Sequence, residues 1–540
     1  MVAIISLSKS SSKYRHQGFG SRQSIGIILF FLAIASLFGL YFFELVQYQG
    51  EIAVGRVSSF AAIASSPVLR GQLDYQPNCR FYLAESAIPR SGLGIYTAID
   101  LQKGEEAQSM PDVCIYVADT PRGTEFETHS WSRDTFIGTY EGRHPRAACE
   151  GVATLFNSLP DSVGTSKLVP LKMHTNAGLS RYTEPGAGAI THYYGISSEA
   201  IRDVEAGSEL TIDYGDWKYE EGKEYEAPTR SVDWVRKHGM CIDNIKIQQS
   251  THRDMGRGAF AQHSLRQGSL VAPAPLQTYP DQSVFARQKP EALFVNYCFQ
   301  PKDTDILLFP YGPGINMINH DSQHPNVALR WSSSSLSHHD WLDLPLEKFL
   351  GMTYPGALIL EVYALRNIRE GEEMFMDYGE DWEMAWKKHV RKWKPKKYKD
   401  YVYPADMDTT KPFLTVSEQK KISYAKNLQT LCSTTNWDRD ENTRMKWKGH
   451  HEYWPQGLVY CNILERKEDK YPGSFNYTVA LGFHPKEPPA IDEKTYVDYD
   501  VPHSAIMWVD KPYTSDLHLK NAFRHPIGLP DNLAPEQWRE

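Results

Sequence analysis

Hydrophobic positions along the chain fall into three patterns. The first is a continuous, uncharged run from Ile25 to Phe43, IGIILFFLAIASLFGLYFF. At about 1.5 Å per helical residue, its length matches the roughly 30 Å of bilayer hydrocarbon. A signal-peptide core is usually shorter, about 7–15 residues, and ends at small residues. This run ends in Tyr41, Phe42, Phe43 and Glu44. It predicts a retained transmembrane helix, with a cleaved signal or a buried soluble helix as the alternatives. The second pattern is a series of short, alternating segments closed by Gly turns, such as GIYTAI and GAFAQH, which read as strands. The third is a single helical stripe: Trp382, Trp386, Val390 and Trp393 recur at i, i+4, i+8 and i+11. Its opposite face carries Lys387, Lys388, Arg391 and Lys392, either solvated or available to a partner.

The strand-like segments occur twice. SGLGIYTAIDLQKGE (Ser91–Glu105) and EAIRDVEAGSELTIDYGDW (Glu199–Trp217) return as MGRGAFAQHSLRQGS (Met255–Ser269) and VYALRNIREGEEMFMDYGEDW (Val362–Trp382). Gly92 precedes Tyr214 by the same span as Gly256 precedes Tyr378, so the copies are offset equally at either end. Two separated motifs at one offset imply duplication of a whole domain, since solenoid periods are far shorter, about 20–50 residues. In the tail, Val459–Glu465 and Phe475–Leu481 read as strands around the Pro472-Gly473 turn. The expected class is mostly β (α+β), with an N-terminal transmembrane helix and a small β-rich C-terminal domain.

Charge orients the apolar run. Lys9, Lys13, Arg15 and Arg22 precede it with no acidic residue, and Glu44 and Glu51 follow. The positive-inside rule then leaves the N-terminus cytosolic and the rest on the lumenal or extracellular side, as in a single-pass type II protein of the endomembrane system. Asn476-Tyr477-Thr478 is a glycosylation sequon. The 540 residues suit three or four domains. With 41% hydrophobic residues, the chain is not wholly disordered. A net charge of −8 argues against a nucleic-acid partner. Seven cysteines are too few for a disulfide scaffold, and no Cys-x-x-Cys pair supports a zinc module. Cys432 and Cys461 could pair on the lumenal side. His338-His339 lies in a Ser-rich stretch and reads as loop, so no metal is expected.

Gly256-Arg257-Gly258-Ala259-Phe260, Asn319-His320-Asp321 with Pro325-Asn326, and Ala364 through Asp377-Tyr378-Gly379 stand in an order that resembles the SET domain of protein-lysine methyltransferases. The resemblance implies a knotted arrangement of small curved sheets and use of S-adenosyl-L-methionine. It implies that Gly256, Arg257, Gly258, Asn319 and His320 contact the cofactor, with Trp382 over its adenine or packed behind the site. Tyr378 is the expected catalytic residue, beside a channel for the lysine of a protein substrate. Physically, glycine lets backbone approach a ligand, and a tyrosine hydroxyl can hold an amine in line for transfer. A plain turn, a capping Asn-His pair and a core tyrosine are the alternatives. The first copy keeps Gly92, Gly94 and Tyr214. Ahead of Tyr214, Asn176 lies about where the resemblance places an asparagine, but Ala177 follows it instead of histidine.

These readings divide the chain into a cytosolic tail (1–24), the helix (25–43), a linker (44–72), a divergent first SET-like domain (73–218), a linker (219–240), a second SET-like domain with its Trp-striped helix (241–397) and an accessory domain (398–540). The expected activity is methyl transfer by the second domain. A membrane-anchored interaction scaffold is the alternative, sharpened by topology: the charge rule places the domains across the membrane from the cytosolic cofactor pool.

Overall fold

The computed structural model describes residues 78–539 apart from interspersed loops, the longest being 132–145, 215–227 and 482–495. The apolar run Ile25–Phe43 lies outside the described residues. Among those described, no helix is long and apolar enough to cross a membrane. Residues 71–540 form one compact unit. Strands dominate it, and Glu380–Lys392 is the longest of the few described helices.

Two sheets repeat each other. In one, Asn157–Ser158 runs parallel to Glu209–Ile212, which pairs with Leu93–Thr97, then Phe81–Glu85, with Met240–Cys241 at the edge. In the other, Asn319–His320 runs parallel to Glu373–Met376, which pairs with Arg257–Ala261 and then Ile245–Gln249. Turns repeat too. The N–H of Lys103 donates to Asp203 and that of Gln267 to Asn367, both at 2.9 Å and at positions related by the motif offset. Gly92 and Gly256 both take left-handed backbone, at φ +67° and +69°. A side chain at either would be strained there.

A second pair of sheets backs these. Arg146–Glu150, Asp112–Val117, Tyr193–Ala200 and Leu168–Thr175 are neighbours in that order. In the second half the order is Ile527–Gly528, Phe299–Gln300, Leu307–Pro310, Leu270–Tyr279, Ile359–Ala364 and Val327–Trp331. Leu270–Tyr279 is buried almost throughout, yet holds Pro273 and Pro275. A proline lacks the N–H that an interior strand needs. The register resolves this: residues 270–275 pair only with Ile359–Ala364, and Leu307–Pro310 joins from Leu276 onward. One hydrophobic core runs through both halves, from Phe81, Ile115 and Phe156 to Phe294, Phe309 and Ile359.

The tail divides into two parts. Leu458–Glu468 and Phe475–Leu481 pair as expected, inside a seven-stranded sheet that also takes Leu428–Ser433, Tyr496–Pro502 and Ile506–Asp510. The last residues then return to the second half. Ile527–Gly528 joins its sheet, and Trp538 is fully buried in its core. Six cysteines form disulfides: Cys79–Cys241, Cys114–Cys149 and Cys432–Cys461, with Cys298 free and buried. Low cysteine density concealed a chain that is nonetheless extensively cross-linked.

Candidate active site

The second copy gathers its motifs around a buried carboxylate. Glu373 accepts from Ser250 Oγ and the Thr251 N–H, both at 2.7 Å, and from Asn319 Nδ2 at 3.2 Å. Asn319 Nδ2 also donates to the Arg257 carbonyl at 2.9 Å. The asparagine therefore ties the Gly-x-Gly strand to the closing strand. Gly258 is required by this packing, because a Cβ there would collide with Glu373.

His320 follows Asn319. Its Nδ1 accepts the backbone N–H of Tyr378 at 3.0 Å, and its ring lies 5.2 Å from Tyr378 and 5.0 Å from Trp382. An accepting Nδ1 requires that the imidazole be neutral, with its proton on the other nitrogen. Burial lowers its pKa, opposed by Asp377, Glu383 and Asp321. The Tyr378 hydroxyl donates to the Ile318 carbonyl, and burial, with Tyr297 and Glu150 nearby, raises its pKa. It is a neutral donor at any physiological pH.

Trp382 opens the helix Glu380–Lys392. It stacks on Trp386 at 5.9 Å, and Phe523 of the returning tail meets both rings. The Trp stripe is thus a docking face, with Trp393 at the helix end and Lys387, Lys388, Arg391 and Lys392 exposed. Arg257 reaches Glu184 of the first copy at 3.7 Å. Trp382 Nε1, on the ring beside Tyr378, is buried with no hydrogen-bond partner, and Arg257 Nε is buried with the Glu184 carboxylate as its ion-pair partner. Both atoms only donate, so they fit a ligand that carries acceptors, such as the carboxylate and purine nitrogens of S-adenosylmethionine.

In the first copy the same bonds recur. Glu209 accepts from Ser86 Oγ at 2.7 Å, the Ala87 N–H at 2.8 Å and Asn157 Nδ2 at 2.8 Å. Asn157 Nδ2 also donates to the Leu93 carbonyl at 2.9 Å, and a Cβ at Gly94 would strike Glu209. The place of Asn319 is therefore filled by Asn157. Asn176, the counterpart expected from spacing, lies outside the described residues. Ser158 takes the place of His320, with its Oγ accepting the Tyr214 N–H at 3.0 Å. The Tyr214 hydroxyl donates to the Phe156 carbonyl at 2.6 Å, yet Tyr214 is 50% exposed. Sequence reading missed Asn157, Glu209 and Glu373. The two glutamates stand at the same offset as the motifs around them, and that was the signal available.

Residues 256–379 match the SET domain family. Comparison with curated proteins finds no match. Solved structures that match part of the chain include a Plasmodium falciparum protein described as a candidate histone methyltransferase, 19% identical, covering 26% of this chain and 96% of that one, with a TM-score of 0.18. A Cryptosporidium SET8 protein is also 19% identical, over 25% of this chain and 57% of that one, with a TM-score of 0.18. The polycomb repressive complex 2 of Chaetomium thermophilum, bound to S-adenosylmethionine, is 17% identical over 27% of this chain, at a TM-score of 0.20. The match covers 17% of that polycomb chain.

Proposed function

We propose that the SET domain at residues 256–379 transfers a methyl group from S-adenosylmethionine to the side chain of a protein lysine. The observation that carries this reading is the enclosed Tyr378 hydroxyl, held on the Ile318 carbonyl next to Asn319 and His320. S-adenosylmethionine, when bound, supplies a methyl group on a positively charged sulfur. A lysine nitrogen forms the new C–N bond as the C–S bond breaks, and the leaving thioether keeps the bonding electrons. Positioning and exclusion of water can supply much of the rate of such a displacement. The backbone at Gly256–Gly258 and Asn319 would hold the cofactor, with Arg257 Nε and Trp382 Nε1 donating to its acceptors. Tyr378 would direct the amine, and His320 would fix the backbone of Tyr378.

The first copy, in this reading, is a diverged SET-like repeat that completes the second copy rather than acting itself. It has Ser158 in place of histidine, and its tyrosine is open to solvent. Three disulfides support a lumenal or extracellular location behind an N-terminal anchor, because such bonds persist in oxidising compartments. The same observation favours a second reading, a non-catalytic anchored scaffold, since that compartment is separated from the cytosolic cofactor pool.

Binding of labelled S-adenosylmethionine to the detergent-solubilised full chain tests the first reading, followed by transfer to a lysine peptide array. The expected result is binding that Asn319→Ala abolishes and Asn157→Ala spares. No binding by the unaltered chain leaves the scaffold. Alkaline carbonate washing tests the anchor: the full chain should pellet with membranes, and deletion of residues 1–45 should release it.

A further inference from the structure

We infer that Glu150, a residue of the first copy, receives the ammonium group of the incoming lysine in the second copy's site, an inference that rests on the methyl-transfer reading for the identity of the amine. Glu150 ends the strand Arg146–Glu150 and is 2% exposed. Its Oε1 accepts the backbone N–H of Asn316 at 2.9 Å. Its Oε2 is buried with no hydrogen-bond partner. Asn316 sits in the turn Ile315–Met317, directly before Ile318, whose carbonyl holds the Tyr378 hydroxyl. Carboxyl and phenol are thus anchored close together on one segment. Both Tyr297 and Tyr378 lie within reach of the Glu150 charge, which raises their pKa values beyond the effect of burial.

The groups around Glu150 leave its second oxygen unanswered. Arg257 is the cation that faces it, but the Arg257 side chain lies at 3.7 Å from Glu184. Asp112, on the adjoining strand, accepts the N–H groups of Val152 and Ala153. The Asn316 side-chain amide, which donates to the Pro310 carbonyl at 3.2 Å, and the Ile315 backbone also face the carboxyl, and Tyr297 and Tyr378 lie beside it, with Glu184 and Asp516 acting on Tyr297 from beyond. A buried carboxyl oxygen without a donor is costly. Acceptance of the Asn316 N–H alone would be served equally by a glutamine. An ammonium group, with three donors, satisfies the oxygen and matches its charge.

Receipt of the ammonium allows one proton to pass. The lysine N–H bond breaks, its electron pair stays on nitrogen, and the proton bonds to Glu150 Oε2. A cation and a carboxylate become a neutral amine and a neutral acid, so charge and atoms balance. Burial pushes the Glu150 pKa up to about 8, against partial relief from Asn316, Arg257 and Ile315. That narrows the gap to a lysine amine at about 10.4 and makes the carboxylate a stronger base than usual.

The test uses butylammonium, the lysine side-chain terminus alone, with the full chain in calorimetry. The unaltered protein should bind it, and more tightly as pH rises through about 8, where Glu150 ionises while the amine stays charged. Glu150→Gln should weaken binding about tenfold or more and flatten that pH profile. Its melting temperature should be equal or higher at pH 8, because a raised acid pKa in the folded state costs stability as pH climbs above the ordinary value. If the glutamine variant fails to fold, Glu150→Asp keeps the charge but withdraws it by one methylene, and should also weaken binding. Equal affinity in the folded variant, or no binding by the unaltered chain, overturns the inference. S-adenosylmethionine binding, measured in parallel, reports on the methyl-transfer reading alone. A chain that binds butylammonium through Glu150 but no cofactor keeps the amine site and loses that reading.

Discussion

At Gly258, Asn319 and Glu373 the second copy makes the bonds that the first makes at Gly94, Asn157 and Glu209. The copies part immediately afterwards. His320 holds Tyr378 beside Trp382, which Phe523 backs, while Ser158 holds a Tyr214 that is half exposed. The glycine and asparagine of the motif therefore have a structural duty in both copies: they let two strands close on a buried carboxylate. Their presence alone does not mark a cofactor site. What distinguishes the copies is the cover, formed by histidine, the Trp-bearing helix, the returning tail and Glu150 and Glu184 lent by the first copy.

Cross-linking gives the largest expected contrast. Among the described residues, Cys114–Cys149 lies within the first copy and Cys79–Cys241 ties that copy's sheet to its edge strand Met240–Cys241, whereas residues 242–397 hold only the free Cys298. The Cys79–Cys241 bond closes a separation of 162 residues. Loop-closure entropy assigns such a staple about 5 kcal/mol, in a treatment that often exceeds measured values. Replacing both cysteines with serine should lower the urea midpoint strongly, and hydrogen exchange should rise first in the first copy. Equal loosening of both copies would break the contrast.

Tyrosine gives the next contrast, through activity. Tyr378→Phe and Tyr214→Phe each remove one hydroxyl bonded to a carbonyl, and each should cost about 0.5–1.5 kcal/mol of stability. Only Tyr378→Phe should slow methyl transfer, about tenfold or more, or change the number of methyl groups added. Matching rate losses would give the first copy a part in the reaction. Unchanged rate and product in Tyr378→Phe would reduce Tyr378 to a core residue.

The pattern of positions made much of this legible. The short strands, the C-terminal strand pair and the Trp helix followed from spacing, because period-2 and period-3.6 patterns report which face is buried. Asn157 did not follow. Counting back from Tyr214 by the spacing that the resemblance suggests led to Asn176. The second copy itself separates Asn319 from Tyr378 by nearly the span that separates Asn157 from Tyr214. The copy was a better ruler than the resemblance. Glu150 was illegible for another reason. It serves a turn 166 residues away, and no local pattern encodes a contact between domains. The tail's return through Ile527–Gly528 was hidden likewise, since a two-residue strand has no period.

Exchanging the residues after the asparagines tests the cover more gently. His320→Ser should retain the Tyr378 N–H bond only if the shorter side chain reaches it, so a loss of about 1 kcal/mol is expected. Ser158→His on the open first copy should cost little. Cofactor binding should fall in His320→Ser and should not appear in Ser158→His. A gain of binding by the second variant would show that the exposed Tyr214 site lacks nothing but an imidazole.

The smallest effect is a pH dependence confined to the second copy. Burial lowers the pKa of His320 below its ordinary 6.5, while Asp377, Glu383 and Asp321 pull the other way. The unfolded chain, with an ordinary histidine, then binds more protons than the folded chain between the two values. Stability must fall as pH drops through that window and stay level above it. Protonation would also place a proton on Nδ1, where the Tyr378 N–H now donates, and so break the bond that fixes Tyr378. His320 is partly open to water, and screening keeps the effect small. Thermal unfolding of the full chain from pH 7 to pH 5 should therefore show an acid loss that is slightly smaller in His320→Asn, which keeps a polar side chain but cannot titrate. Ser158→Asn should leave the acid loss as it was, because Ser158 has no proton to gain. An acid loss that is larger in His320→Asn would mean that the carboxylates outweigh burial and that His320 is charged in the folded protein, which would reverse its part in holding Tyr378.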